Sequence, residues 1–344
     1  YTTLFRSETE DNLLKKRFGL SEHVQSVIDR IVYTKPTILA WQGNANAFRN
    51  LNNLNLFKAV LYSDEFTPYT NDLLVQALFG GRAIRGKLNR KVKDIYERKI
   101  GINTPKIRLA YGLPEEVGIE RADLQKIDQI AQAGIDEMAY PGCQVWFAKD
   151  GIVVVNEAYG YHQYEKEHRV SVTDLYDLAS ITKIAGSVAG LLKLNTEQKF
   201  SLDSTLSHYL GSLVDTTEYR TLFMREILAH QAGLTPFVPF YAKTLSKGVP
   251  RYDVYSLAQS EIYPTEVARE FFIRHDYTQK MYSEILTTPL KEKEYKYSDV
   301  GYYFALKIIE KQSGMAMSEY LNTSIYKPLG LHYMGYKPLM RFDK

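Results

Sequence analysis

Two side chains that can do chemistry together lie three residues apart in the run Asp177-Leu178-Ala179-Ser180-Ile181-Thr182-Lys183. A serine hydroxyl is a weak nucleophile until a base takes its proton. A lysine can be that base when its pKa falls, and desolvation among apolar side chains lowers it. On a helix, residues three apart share a face, so Ser180 and Lys183 can meet. That chemistry is nucleophilic attack with a neighbouring amine as proton acceptor. Taken alone, the tetrapeptide fits equally well a surface helix turn with serine near its start.

The elements around the pair give it context. Residues 184–194 continue as Ile, Ala, Gly, Ser, Val, Ala, Gly, Leu, Leu, Lys and Leu. This reads as a buried helix whose small residues let a neighbour pack closely. Upstream, 121–138 reads as a long amphipathic helix with Leu124, Ile127, Ile130, Ala131 and Ile135 on one stripe, ended by Pro141-Gly142. Residues 144–148 and 152–155 read as strands joined through Asp150-Gly151, a dipeptide suited to a tight hairpin turn. A third strand is expected near 158–161.

The first third of the chain has a different rhythm. Residues 22–33 read as a helix capped by Ser21, 36–41 and 58–62 as buried strands, and 70–79 as a helix stopped by Gly80-Gly81. Helix alternating with strand implies parallel strands with crossover helices. Glycines and prolines at 100–117 mark a junction, so we expect domains at 1–112 and 113–344. Arg82, Arg85, Lys87, Arg90, Lys91, Lys93, Arg98 and Lys99 form a basic run just before it. It reads as a solvated linker face or as a contact for an anionic envelope polymer.

Composition narrows the function classes. In 344 residues, 45% are hydrophobic and 24% charged, as in ordinary globular domains. The net charge of +3 is too small to argue for nucleic acid. No apolar run reaches the roughly 18–20 residues of a membrane span. The single cysteine, Cys143, excludes an internal disulfide. No motif calls for a metal or another cofactor.

Several segments resemble known families. Residues 35–44 and 77–88, the latter Ala-Leu-Phe-Gly-Gly-Arg-Ala-Ile-Arg-Gly-Lys-Leu, are similar to segments of the second domain of glycoside hydrolase family 3. Asn89 departs from that pattern, where proline is usual. Further on, 176–183, 200–210, 225–234, 297–314 and 325–331 resemble, in family order, motifs of penicillin-recognising serine hydrolases of the class C β-lactamase and esterase-like branch. The resemblance implies an α/β architecture: a partial parallel-sheet domain followed by a β-lactamase/transpeptidase-like domain with an antiparallel sheet and helices. It implies Ser180 as acylated nucleophile, Lys183 as an amine kept partly neutral by burial, and Tyr297 as second proton relay. Asp299 takes a substrate-binding position usually held by asparagine, and a carboxylate cannot donate the hydrogen bond that an amide can. His230 is expected to pack a turn under Gly233, and Asp203 to cap or turn.

The family's Lys/His-Thr/Ser-Gly box, which supplies half of an oxyanion hole, has no counterpart after Tyr297. We therefore expect the chain to be truncated at both ends and nearly inactive by itself, an oxyanion-hole donor contributing ~2.7–4 kcal/mol. The expected substrates are esters or amides, among them cell-wall peptides and β-lactams, in the bacterial periplasm or envelope. Two rivals are a family 3 glycosidase, such as a β-N-acetylhexosaminidase, whose catalytic barrel lies outside the chain, and a non-catalytic cell-wall binding module. Intact Ser180, Lys183 and Tyr297 argue against the binding module.

Overall fold

A computed structural model describes residues 2–6, 18, 20–92 and 94–342. The chain forms two compact units, Tyr1–Asp174 and Leu175–Lys344.

The first unit opens with a three-stranded parallel sheet. Strands β1 (Thr2–Arg6), β2 (Ile38–Gln42) and β3 (Ala59–Ser63) lie in that order, Leu39 pairing with Thr3 and with Val60. Helix α1 (Glu22–Thr34) connects β1 to β2, and the Ser21 hydroxyl caps it by accepting from the Val24 N–H at 3.2 Å. Helix α2 (Pro68–Leu78) follows β3. It starts two residues earlier than its apolar pattern suggests. Pro68 is preset for the first helical position, and Thr67 and Thr70 form a reciprocal capping box. Trp41 and Phe48 are buried side by side in this core, ring centroids 6.1 Å apart.

A second sheet, separate from the first, holds β4 (Ala110–Tyr111), β5 (Gly142–Lys149) and β6 (Ile152–Gly160) in the order β4-β6-β5. β5 and β6 form the antiparallel hairpin, and Asp150 and Gly151 both take positive φ, 50° and 78°. The expected third strand near 158–161 is instead the far end of β6. The actual third strand is β4, parallel to β6, which at two residues is too short to show a period. Helix α3 (Arg121–Asp136) buries Ala131, but Ile130 is exposed, a correction to the expected stripe.

Of the basic run, Arg82 pairs with Glu116, Arg90 with Asp64 and Lys91 with Glu97. Lys93 lies outside the described residues. These exposed pairs fit a solvated face.

The second unit is mainly helical. A π-helical turn at 183–188 leads into α4 (Ala189–Thr196). Then come α5 (Leu206–Leu210), α6 (Met224–Leu228) and α7 (Phe240–Lys243). Two small antiparallel arms follow, β7 (Leu245–Ser246) with β8 (Val249–Pro250), and β9 (Tyr255–Ser256) with β10 (Thr265–Ala268) and β11 (Phe271–Ile273). Helices α8 (Tyr277–Thr287), α9 (Val300–Ser313) and α10 (Met317–Leu321) complete it.

Helix α9 is the spine of this core. Val300, Phe304, Ala305, Ile308 and Ile309 are all fully buried. Helix α4 packs against α9 and α10, and small residues permit the approach. A Cβ on Gly190 would stand 2.9 Å from Ile309 Cδ1, so any side chain there would push α9 away. At the π turn the Tyr326 hydroxyl donates to the Ala185 carbonyl at 2.9 Å. A buried helix thus holds Lys183 at its start, and a buried helix holds Asp299 at the start of α9.

Candidate active site

Ser180 sits on the turn that enters the helix, not within it. Ala179 before it takes φ 42°, left-handed backbone that a residue with a Cβ adopts at a cost of roughly 1–2 kcal/mol. The Asp177 carboxylate supports this turn by accepting from the Ala179 N–H at 2.8 Å. Such strain persists only where surrounding contacts fix it, and it holds the serine out from the helix end. Among the described residues the Ser180 N–H meets no acceptor, leaving a free donor beside the hydroxyl.

Three residues on, Lys183 Nζ donates to Ser180 Oγ at 2.9 Å. The same ammonium stands 2.6 Å from Asp299 Oδ1 and hydrogen-bonds Tyr297. Its centre is 4.9 Å from the Tyr297 ring centroid and 5.7 Å from that of Tyr302. Ser180, Lys183, Tyr297 and Asp299 are therefore brought together in one cluster. Ser180 and Tyr297 are both exposed, and Lys183 lies beneath them.

The electrostatics correct one expectation. Burial does pull the Lys183 amine down. The hydrogen bonds and charges of Asp299 and Tyr297 outweigh it, and the net shift is upward. Lys183 is a firm cation, not a partly neutral amine. Tyr297 moves the other way. The Lys183 hydrogen bond is the largest cause, the Ser180 hydrogen bond the next, and together they hold the phenol below its ordinary value. The Lys183 cation thus eases loss of the phenolic proton.

His230 is closer to the chemistry than its motif suggests. Its backbone is left-handed at φ 59°, and its carbonyl accepts from the Lys296 N–H at 2.8 Å. Its Nδ1 accepts from the Ser298 N–H at 3.0 Å, which requires the neutral ring with its proton on Nε2. Burial, then the Lys183 charge, lower its pKa. The ring lies 4.5 Å from Tyr297, centroid to centroid. Ser298, 2% exposed, donates its hydroxyl to the Thr235 carbonyl at 2.6 Å and accepts from the Val300 N–H at 3.2 Å. It pins the turn that carries Tyr297 on one side and Asp299 on the other. Sequence reasoning missed both roles. Asp203 accepts from Arg225 Nε at 2.7 Å, an exposed pair joining two turns.

A separate cavity of about 290 Å³ is lined by Phe240, Arg251, Val254, Arg274, Tyr277 and Glu284, among others. Its arginines are already paired, Arg251 with Asp253 and Arg274 with Asp276. Among the described residues no cluster of three or more His, Cys, Asp or Glu could hold a metal, and no helix is long and apolar enough to cross a membrane.

Residues 127–343 match the family model described as Beta-lactamase, and the chain belongs to that family. A protein of Salmonella gallinarum named "Putative D-alanyl-D-alanine carboxypeptidase" is 29% identical over 248 residues, which cover 68% of this chain and 52% of the relative. A Salmonella enteritidis protein of the same name matches to the same extent. The chain thus spans about half the length of the curated relatives it matches. Among solved structures, the octameric penicillin-binding protein homologue from Pyrococcus abyssi is similar at TM-score 0.49 and 21% identity, covering 64% of this chain and 46% of that one. A class C β-lactamase from Rhodobacter sphaeroides is similar at TM-score 0.43 and 20% identity, covering 59% and 48%. Family membership rests on the sequence match, and these partial likenesses add no argument to it.

Proposed function

We propose that the protein is an acyl-transferring serine hydrolase that works through an acyl-enzyme on Ser180. The observation that carries this reading is one ammonium, Lys183, hydrogen-bonded at once to Ser180 Oγ and to Tyr297. Tyr297 takes the serine proton as Oγ attacks the carbonyl carbon of an ester or amide. The new bond is Oγ–C; the bond that breaks joins that carbon to the leaving oxygen or nitrogen, which receives the proton from Tyr297. Water then attacks the acyl-enzyme, giving its proton to Tyr297, and releases the acid and Ser180. We assign the unpaired Ser180 N–H as a donor to the oxygen on which negative charge develops.

For the substrate, the names of the Salmonella relatives favour cell-wall peptides ending in D-alanyl-D-alanine, with β-lactams and small esters as chemical relatives. On that substrate we infer a location in the bacterial envelope or periplasm. For residues 1–112 we retain the glycoside hydrolase family 3 likeness as a separate domain, supported by the parallel order β1-β2-β3 with its α1 crossover. The test of the hydrolase reading is a fluorophosphonate probe on the full-length protein, followed by intact mass and peptide mapping. An adduct on Ser180 that Ser180→Ala abolishes supports it. Absence of any adduct favours the binding-module alternative.

A further inference from the structure

Resting on the hydrolase reading above, the geometry points to Asp299 as a specificity determinant: its carboxylate receives a free α-ammonium group on the acyl side of the substrate. The substrate class is then aminoacyl esters and amides whose acylating residue keeps a free α-amine, preferred over their N-acylated counterparts; of the cell-wall peptides it favours the free dipeptide over longer chains ending in D-alanyl-D-alanine.

Reach comes first. Lys183 Nζ touches both Ser180 Oγ and Asp299 Oδ1, so the carboxylate is at most two hydrogen-bond lengths from the nucleophile. An acyl carbon bonded to Oγ carries its α-nitrogen two bonds further out, a span that lets the nitrogen reach that carboxylate when the acyl group turns toward it. Asp299 Oδ2 has no donor among the described residues, and the side chain is 43% exposed. The carboxylate is also held in place. The Asp299 N–H donates to the Pro236 carbonyl at 2.8 Å, and buried Ser298 fixes the turn before it.

Polarity and charge then choose the ligand. A carboxylate only accepts, so it takes an N–H and repels a carbonyl oxygen, whereas an amide side chain could serve either. When Tyr297 is deprotonated for attack, Lys183, Asp299 and Tyr297 together carry one net negative charge. A cationic nitrogen on the substrate balances it, and its bond to the carboxylate is charge-assisted from both sides. An N-acyl group brings a neutral nitrogen and a carbonyl oxygen to the same place.

The experiment compares alanine p-nitroanilide with N-acetyl-alanine p-nitroanilide, in both enantiomers, on the full-length protein. The readout is the ratio of their kcat/KM values. We expect the free amine to be preferred by at least about tenfold at pH 6.5, and Asp299→Asn to reduce that ratio at least about tenfold, as loss of a charge-assisted hydrogen bond requires. In the unmodified protein the ratio should fall as the pH passes about 7.7–8.0, where an α-amino group loses its charge. Ionisations that affect only the nucleophile act on both substrates alike, whereas loss of the ammonium charge acts on the free amine alone, so this second measurement can be made on the unmodified protein even where Asp299→Asn does not fold. A ratio that neither Asp299→Asn nor pH moves, with Ser180 still labelled by the fluorophosphonate, overturns the Asp299 inference and leaves the hydrolase reading intact. Failure of Ser180 to label overturns the hydrolase reading, and this inference with it.

Discussion

Lys183 Nζ is 2.6 Å from Asp299 Oδ1, where an amide would leave the amine without a counter-charge. The contact spans two helix starts, the π turn before α4 and the first residue before α9. It favours the protonated lysine, and in the proposed mechanism the proton acceptor is then the phenol that lysine polarises.

The acid limb of the pH–rate profile therefore reports Tyr297. Its pKa is depressed, so kcat/KM should rise through a pH below the ordinary phenol value near 10. Lys183 is the largest cause of that depression. In Lys183→Met the residual acid limb should move up while activity drops by several orders of magnitude, since groups acting as one unit are non-additive. A residual profile with an unmoved acid limb would take Tyr297 out of the base role.

The serine half of the pair was readable in the sequence because its mechanism is local. A spacing of three residues brings Oγ and Nζ to 2.9 Å. The parallel strands and the Asp150-Gly151 hairpin were readable for the same reason, period and turn chemistry being local properties. What escaped was non-local. His230 and Ser298 are 68 residues apart, and their roles lie in one backbone N–H and a ring contact that no periodicity encodes. Asp299 was visible as an odd residue type, but its partner was not. Ile130 shows the limit of the stripe argument: it keeps helical spacing with Ile127, yet it stays exposed while Ala131, next to it in sequence, is buried.

Core energetics can be tested on α9 and α4. Phe304 is fully buried, with Tyr219 and Tyr282 ring centroids 5.9 and 6.1 Å away. Phe304→Ala should destabilise by ~3–5 kcal/mol, transfer and cavity terms together. Leu192 on α4 is 63% exposed, and Leu192→Ala should stay within about 0.5 kcal/mol. Denaturant titration of both variants checks the contrast. Equal losses would place the core boundary on α4 elsewhere.

Deletion of the Gly190 clearance is a separate prediction. Gly190→Val adds a branched side chain where a Cβ already meets Ile309 Cδ1 at 2.9 Å and Leu321 Cδ2 at 3.3 Å. Overpacking of this kind costs ~1–3 kcal/mol. Because α4 continues the turn that carries Lys183, the variant should also lose turnover. The check is kcat measured well below the melting temperature, beside a thermal melt.

His230 links stability to pH with a definite sign. Its folded-state pKa is lowered, by burial first and then by the Lys183 charge, against the opposing pull of Asp299. The unfolded chain therefore binds the proton more readily than the folded one. The contribution is complete above the unfolded value of about 6.5 and is lost as pH falls from there toward the lower folded value. Protonation of Nδ1 would also break its hydrogen bond from the Ser298 N–H and release the turn between Tyr297 and Asp299. His230→Asn keeps an acceptor side chain and tolerates the left-handed φ of 59°, so it should fold and should flatten the pH dependence of stability below about 6.5. His230→Ala removes the acceptor, leaves the Ser298 N–H unsatisfied and should cost ~1–3 kcal/mol at neutral pH. Chemical denaturation of the three proteins across that range decides the point: identical slopes for wild type and His230→Asn would show that His230 does not carry the pH-dependent term.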